Sequence, residues 1–201
     1  MTKMRERKAG ANGAIRRTSH NLNGQRLGRK GRDTRDRIIG ATREILGEGI
    51  ETTLSLSEVA RRSSIGMSSI YNYFADLTEL VLAVLEPVMK DADSSFMRLL
   101  REPWPDEELA ERCATFVGAF HDFWRRNSRV LHMRNSIADQ PDVRMMAHRV
   151  GSAQPIIRAL IRQMGRDPRE AKTAAAGMAT ILYTGLERVV SVVTDPVLAA
   201  V

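Results

Sequence analysis

The sequence that decides the fold is SLSEVARRSSIGMSSIYNYF, which runs from Ser55 to Phe74. Ser55 and Glu58 have the spacing of a capping box, in which each side chain satisfies a backbone N–H at the start of a helix. The apolar pattern of that short helix is interrupted at residues 63–66 and resumes with Ile70 and Phe74, four residues apart on one helix face. Two short helices joined by a turn that contains a glycine predict a helix-turn-helix.

A helix-turn-helix places the first residues of its second helix against base edges in the DNA major groove. The residues at those positions are Met67, Ser68, Ser69 and, one turn later, Asn72. An asparagine can form two hydrogen bonds to adenine and a methionine can contact a thymine methyl group, so we expect these residues to read bases. The other residues of the predicted DNA-binding surface, including the phosphate contacts, are Ser55, Gly66, Tyr71, Tyr73, Arg26, Arg29, Lys30 and Arg32.

The two tyrosines have an alternative role, which is packing inside the helix-turn-helix. Ile70 and Phe74 already occupy the inward face of the second helix, so packing of both Tyr71 and Tyr73 is not expected. The segment before the unit, from about Thr34 to Glu48, predicts an amphipathic helix.

Residues Ile70 to Leu80, IYNYFADLTEL, resemble the DNA-binding end of TetR-type bacterial transcription regulators. The specific resemblance covers about residues 34–85, and Asp76 and Glu79 within it can cap a long following helix. Met67 and Leu77 depart from the family, which often has lysine at both positions. The resemblance implies a dimeric DNA-binding protein with a helical second domain that holds a small effector.

The formal charge of +7 is unevenly distributed along the chain. Residues 1–37 hold twelve Lys or Arg and three acidic residues, a charge of +9, which leaves −2 for the other 164 residues. This pattern is typical of a disordered nucleic-acid-binding arm, and the basic residues from Arg26 to Arg32 lie where such arms reach a minor groove. The alternatives are a solubilising tail and a mitochondrial transit peptide, although the segment shows no amphipathic helix.

After Leu80 every periodic segment predicts a helix, so the expected fold is all-α. The predicted divisions are a disordered basic arm (1–31), a three-helix DNA-binding domain (32–80), and a helical effector-binding and dimerisation domain (81–201). One long helix, from Asp76 to about Arg101, should be kinked at Pro87, and another, from Asp142 to Met164, should be interrupted near Pro155. The last long helix is expected to end near Val193, and Asp195-Pro196 predicts a ninth helix that is cut short.

Catalytic, metal-binding and cofactor motifs are not found in the sequence. The four histidines have no metal-ligand spacing, and no nucleophile elbow or phosphate-binding loop is present. The single cysteine, Cys113, excludes an internal disulfide and is expected to be a small buried apolar residue. No run of 18 apolar residues and no secretory signal occur, so a cytoplasmic protein that is neither an enzyme nor membrane-spanning is expected.

The second domain is rich in Met and aromatic residues, which can line a pocket for an apolar molecule. The same pattern is equally expected of ordinary core packing, and the family resemblance is the reason to consider a cavity. The predicted effector-binding residues are Phe116, Phe120, His121, Trp124, Met133, Asn135, Met178 and Tyr183.

The sequence therefore predicts a homodimeric transcription regulator that binds double-stranded DNA. It is expected to be a repressor released from a palindromic operator by a small apolar effector. Two alternatives stay open: a regulator that acts without an effector, and an architectural protein that binds nucleic acid without regard to sequence.

Overall fold

The computed structural model describes residues 22, 26–48, 53–140, 142–169 and 174–195. Within these ranges the chain forms eight α-helices and two short 3-10 helices, with no β-strand, so the predicted all-α fold is confirmed. The α-helices are α1 (Arg29–Gly47), α2 (Leu56–Ser63), α3 (Met67–Ile70), α4 (Leu77–Ser94), α5 (Leu109–Arg126), α6 (Ser128–Ala138), α7 (Val143–Gln163) and α8 (Ala174–Val193). We call α1 to α3 the head and α4 to α8 the body.

Several predicted features lie outside the described residues. They are most of the basic arm and the ninth helix beyond Asp195.

Helix α1 begins at Arg29, five residues before the predicted start at Thr34. The first turn of the helix carries no apolar side chain, and the nearest one, Leu27, lies before the helix. The sequence therefore shows no apolar periodicity there. Leu27 is buried, and its backbone oxygen accepts a hydrogen bond from Arg32 Nη1 at 3.0 Å. Arg29 and Lys30 are therefore helical residues, and the predicted boundary at residue 31 falls inside α1.

Helix α4 begins as the sequence predicts. Asp76 Oδ1 accepts a hydrogen bond from Glu79 N at 2.9 Å, and the Glu79 carboxylate accepts one from Ala75 N at 2.7 Å. The helix contains Pro87 and ends at Ser94, earlier than the predicted end near Arg101. A 3-10 helix, Met97–Leu100, follows it and places Phe96 and Leu100 in the core.

Helix α7 runs through Pro155 without a break, so the predicted interruption is wrong. Proline removes one backbone donor from a helix, and Pro155 lies on the exposed side, where water can satisfy the carbonyl it leaves without a partner. The continuous helix packs against both α6 and α8. At its start, Arg144 binds Asp142 and reaches Asp76 at 2.8 Å, which connects α7 to the start of α4.

Helix α8 has its apolar stripe on the outside. Met178, Ile181, Val189 and Val192 recur on one face of this helix, and all four are exposed. By length and composition α8 could cross a membrane, because an 18-residue window within it has a mean hydropathy of 1.2. Only 22% of that window is buried. A single helix of this kind is weak evidence for a membrane span.

Candidate nucleic-acid interface

The helix-turn-helix begins at Ser55, whose Oγ accepts a hydrogen bond from Glu58 N at 3.2 Å. Only this half of the predicted capping box forms. The Glu58 carboxylate binds Arg61 at 2.5 Å and Arg62 at 3.2 Å, and these charged hydrogen bonds lower the pKa of Glu58. Arg62 also pairs with Glu48 after the end of α1, so the guanidinium ties the first helix to the second.

The turn between α2 and α3 contains one left-handed residue, and it is Ser64 rather than the glycine. Ser64 has φ +53°, whereas Gly66 has φ −62°, which any residue can adopt. Arg37 of α1 donates a hydrogen bond to Ser63 O at 2.9 Å and so satisfies a carbonyl at the end of α2. Ile65 lies between Ser64 and Gly66 and is buried, which fixes the turn against the core of the head.

Helix α3 is short, and a turn extends it to Phe74. Ile70 and Phe74 are almost completely buried, as the sequence predicts, and the Arg35 guanidinium lies 5.2 Å from the Phe74 ring centroid. Such a cation–π contact stabilises the packing of α1 on this segment. The register assumed for the outward residues is therefore the register of the structure.

The outward face of α3 consists of polar and aromatic side chains. Ser68, Tyr71 and Asn72 are exposed, and Tyr71 retains 50% of its surface. The remaining predicted residues of this face, Met67, Ser69 and Tyr73, are half-buried. Tyr73 and Met67 pack partly against the core, so the packing alternative holds in part for Tyr73 and not for Tyr71.

The predicted basic contacts come from another part of the head. Arg26, Arg29, Lys30 and Arg32 are all exposed around the start of α1. Leu22 N donates a hydrogen bond to Asn72 O at 3.0 Å, so this described residue of the arm lies next to the end of the recognition segment.

The aromatic residues assigned to the predicted effector cavity pack against one another. Phe116, Phe120 and Trp124 are buried, and the Phe120 ring lies 4.9 Å from Phe96 and 6.5 Å from Tyr183 in edge-to-face contacts. Edge-to-face aromatic pairs at these distances are ordinary core packing. Phe116, Phe120 and Trp124 are thus part of the body core, and an effector site among them stays a prediction.

The other residues assigned to that cavity are placed elsewhere. Met178 is 52% exposed on the outer face of α8, and His121 lies on the surface beside Asp122. Asn135 accepts hydrogen bonds from Arg134 at 3.0 and 3.1 Å, and Met133 only borders the core. Cys113, predicted to be buried, is exposed, because no helix of the described chain covers the first turns of α5.

A buried ion cluster in the body was missed by the sequence analysis. Arg134 of α6 binds Glu187 of α8 at 2.6 Å with both side chains almost fully buried, and Arg149 of α7 binds the other Glu187 oxygen at 3.0 Å. Tyr183 donates to Glu187 at 3.3 Å, and burial, followed by the Glu187 charge, raises the tyrosine pKa. The sequence feature that could have indicated this cluster is Glu187, a glutamate within the apolar sequence of α8.

One histidine borders the ion cluster, and a second packs against Trp124. Burial, reinforced by the Arg134 charge, lowers the pKa of His148 to about 4, so its imidazole is neutral at pH 7. The His132 ring makes an edge contact with Trp124, with centroids 6.1 Å apart. The described residues contain no group of three His, Cys, Asp or Glu side chains that could hold a metal ion.

Comparison with known proteins gives little beyond the fold. No protein-family model matches the sequence, and no curated protein is significantly similar to it. Among solved structures, the chain is similar to NalD, the secondary repressor of the MexAB-OprM multidrug efflux pump in Pseudomonas aeruginosa. The two share 18% identity over 83% of this chain and 88% of that chain, with a TM-score of 0.46. A likeness this distant carries no function from one chain to the other, so the function of this protein depends on the chemistry of its own residues.

Proposed function

We propose that this protein is a sequence-specific DNA-binding transcription regulator, acting as a repressor. The observation that carries the proposal is the outward face of α3. Ile70 and Phe74 hold the segment from inside, while Ser68, Tyr71 and Asn72 face outward together. The resemblance of Ile70 to Leu80 to TetR-type regulators supports the same conclusion.

Binding divides into contacts that specify and contacts that position. Ser68 and Asn72 have the side chains and the exposure to bond base edges in the major groove. Tyr71 and the basic residues at the start of α1 are suited to phosphates, because a hydroxyl and guanidinium groups are phosphate donors. Leu22 bonds the Asn72 backbone oxygen, so one described residue of the arm lies next to the recognition segment.

We propose further that the protein is a homodimer formed through the outer face of α8. Exposed Ile181, Leu182 and Val189 line this face, and an apolar helix that is mostly uncovered in one chain is typical of an interface. A twofold dimer presents two recognition segments, which requires a palindromic operator. Such a regulator acts in the cytoplasm, where its operator is.

The proposal assigns no effector to the aromatic cluster of α5. Because Phe116, Phe120 and Trp124 are packed on neighbouring rings, release by a ligand at that place has no support. The protein then acts either as a constitutive repressor or through a ligand bound elsewhere.

The test is selection of an operator from random duplex DNA, with measurement of variants on the selected site. Asn72→Ala is expected to relax the preference at one base pair and to cost about 1–3 kcal/mol there. Tyr71→Phe is expected to weaken all duplexes alike, since a phosphate contact carries no sequence information. Gln154→Ala, an exposed polar truncation on α7, is the control.

Two results would contradict this assignment. Unchanged operator binding by both Asn72→Ala and Tyr71→Phe would show that α3 is not the recognition segment. Selection that returns no palindrome, with equal affinity for all duplexes, would favour the architectural nucleic-acid-binding alternative instead.

A further inference from the structure

A cleft of about 520 Å³ lies between the head and the body, on the side of α4 that carries Pro87. It is bounded by the end of α1, the middle of α4 and the corner between α5 and α6. This volume is within the range of roughly 300–1,000 Å³ that small-molecule sites occupy. The cleft is separate from the packed aromatic cluster and from the outward face of α3.

The floor of the cleft is apolar. Leu46 of α1, Val84 and Val88 of α4, and Val130 of α6 line it. Leu46, Val84 and Val130 are largely buried, and Val88 is half-buried. A hydrocarbon or aromatic body placed here would cover the apolar surface that Val88 leaves open to water, and such burial is favourable.

The rim of the cleft is cationic. Arg43, Arg126 and Arg129 line it together with one acidic residue, Asp91, which gives a local formal charge of +2. Arg126 lies 4.0 Å from Asp91, at the limit of an ion pair, and no described residue pairs with Arg43. A guanidinium that is not already bound to a carboxylate is available to bind one from a ligand.

We propose that this cleft binds an organic anion with an apolar body, such as a medium-chain carboxylate. The apolar part lies on Leu46, Val84 and Val88, and the carboxylate lies between Arg43 and Arg126. Cations are disfavoured because the rim is already positive, and neutral analogues lose the charged hydrogen bonds.

The position of the cleft gives the ligand a means of affecting DNA binding. Arg43 belongs to the head and Arg126 to the body, so one carboxylate would bridge the two. Pro87 lines the same cleft and interrupts the hydrogen bonding of α4 beside it. A ligand that binds one head–body arrangement better than another shifts the population toward it. This consequence rests on the proposed DNA-binding function, whereas the binding itself does not.

The experiment is isothermal titration of the full chain, without DNA, with three probes of equal chain length: decanoate, decanol and decyltrimethylammonium, each below its micelle concentration. We expect saturable binding of one decanoate per chain. Decanol should bind about tenfold more weakly, the order of effect that one partly exposed charge pair gives, and the cation should not bind.

The variant that tests the rim is Arg43→Gln with Arg126→Gln, which keeps polar side chains and removes two charges. It should weaken decanoate at least about tenfold and leave decanol unchanged. The matched control is Arg158→Gln with Arg162→Gln, two exposed arginines of α7 that do not line the cleft. A second variant, Val88→Trp, should fill the floor and weaken both decanoate and decanol.

The outcomes separate the two proposals. Equal binding of all three probes, or equal decanoate binding by wild type and the rim variant, would overturn the site. If decanoate binds as expected but leaves operator affinity unchanged, the site stands and its coupling to DNA is wrong. If no operator is found while decanoate binding depends on the rim arginines, only the proposed function fails.

Discussion

The head and α8 use similar apolar periodicity for opposite purposes. In the head, Ile70 and Phe74 recur four residues apart, and both are buried in the chain's own core. In α8, Met178, Ile181 and Val189 also share one face, yet that face is exposed, and the inward face carries Tyr183 and Glu187. Periodicity shows which residues share a face, and it does not show whether the cover for that face comes from the same chain.

The comparison is tested most strongly by placing a charge on the outer face of α8. Ile181→Asp changes a side chain that is 68% exposed, so one chain should fold normally. If two copies bury this residue, the carboxylate disrupts the interface, because an unpaired charge there must be desolvated. We expect monomers by sedimentation and operator affinity lower by about two orders of magnitude, since two linked contacts exceed one by roughly 10²–10⁴.

Val143→Asp is the matched control, because Val143 is 77% exposed on α7 and lies outside α8. It should leave both the sedimentation behaviour and the operator affinity unchanged. A dimer that persists in Ile181→Asp would mean that the outer face of α8 is not the interface.

The second prediction concerns the inward face of α8. Glu187→Gln removes the charge that neutralises Arg134, whose guanidinium is almost completely buried. Removing one partner of a buried pair leaves an uncompensated charge and costs about 3–5 kcal/mol. Urea unfolding at fixed protein concentration should show this loss in the free energy of unfolding.

Glu86→Gln gives the surface comparison, because Glu86 pairs with Lys90 at 2.8 Å in an exposed i,i+4 arrangement. Its expected cost is about 0.3–0.5 kcal/mol. Adding Arg134→Met to Glu187→Gln should recover part of the loss, since the stranded cation is then removed. Equal costs for Glu187→Gln and Glu86→Gln would show that the inward cluster does not depend on charge pairing.

The sequence was sufficient for the head because its determinants are local. The spacing of Ser55 and Glu58 marks the start of α2, and the four-residue spacing of Ile70 and Phe74 fixes the outward positions of α3 without any distant contact. The sequence did not predict the backbone conformation of the turn, because the left-handed residue is Ser64 and not Gly66.

The body was less predictable because its features depend on contacts between distant residues. Arg134 and Glu187 are 53 residues apart, and nothing in either local sequence indicates that they meet. The aromatic residues of α5 were assigned to a cavity, but Phe96 comes after a different helix and fills the space beside Phe120. Whether an apolar stripe lines a cavity, a core or an interface is decided by these tertiary contacts.

The smallest expected effect tests that backbone detail in the head. Ser64 ends α2 with φ +53°, a conformation that is unfavourable for a residue with a Cβ atom and available to glycine. Ser64→Gly should therefore stabilise the protein by about 0.5–1 kcal/mol, measured by urea unfolding, without changing operator specificity. The same substitution at Ser57, an exposed residue inside α2, should instead destabilise by about 0.5 kcal/mol, because glycine is a poor helix former. Opposite signs for one chemical change seven residues apart would show that backbone conformation, and not the loss of a hydroxyl, sets the effect. If both substitutions changed stability in the same direction, the left-handed conformation of Ser64 would not explain the effect.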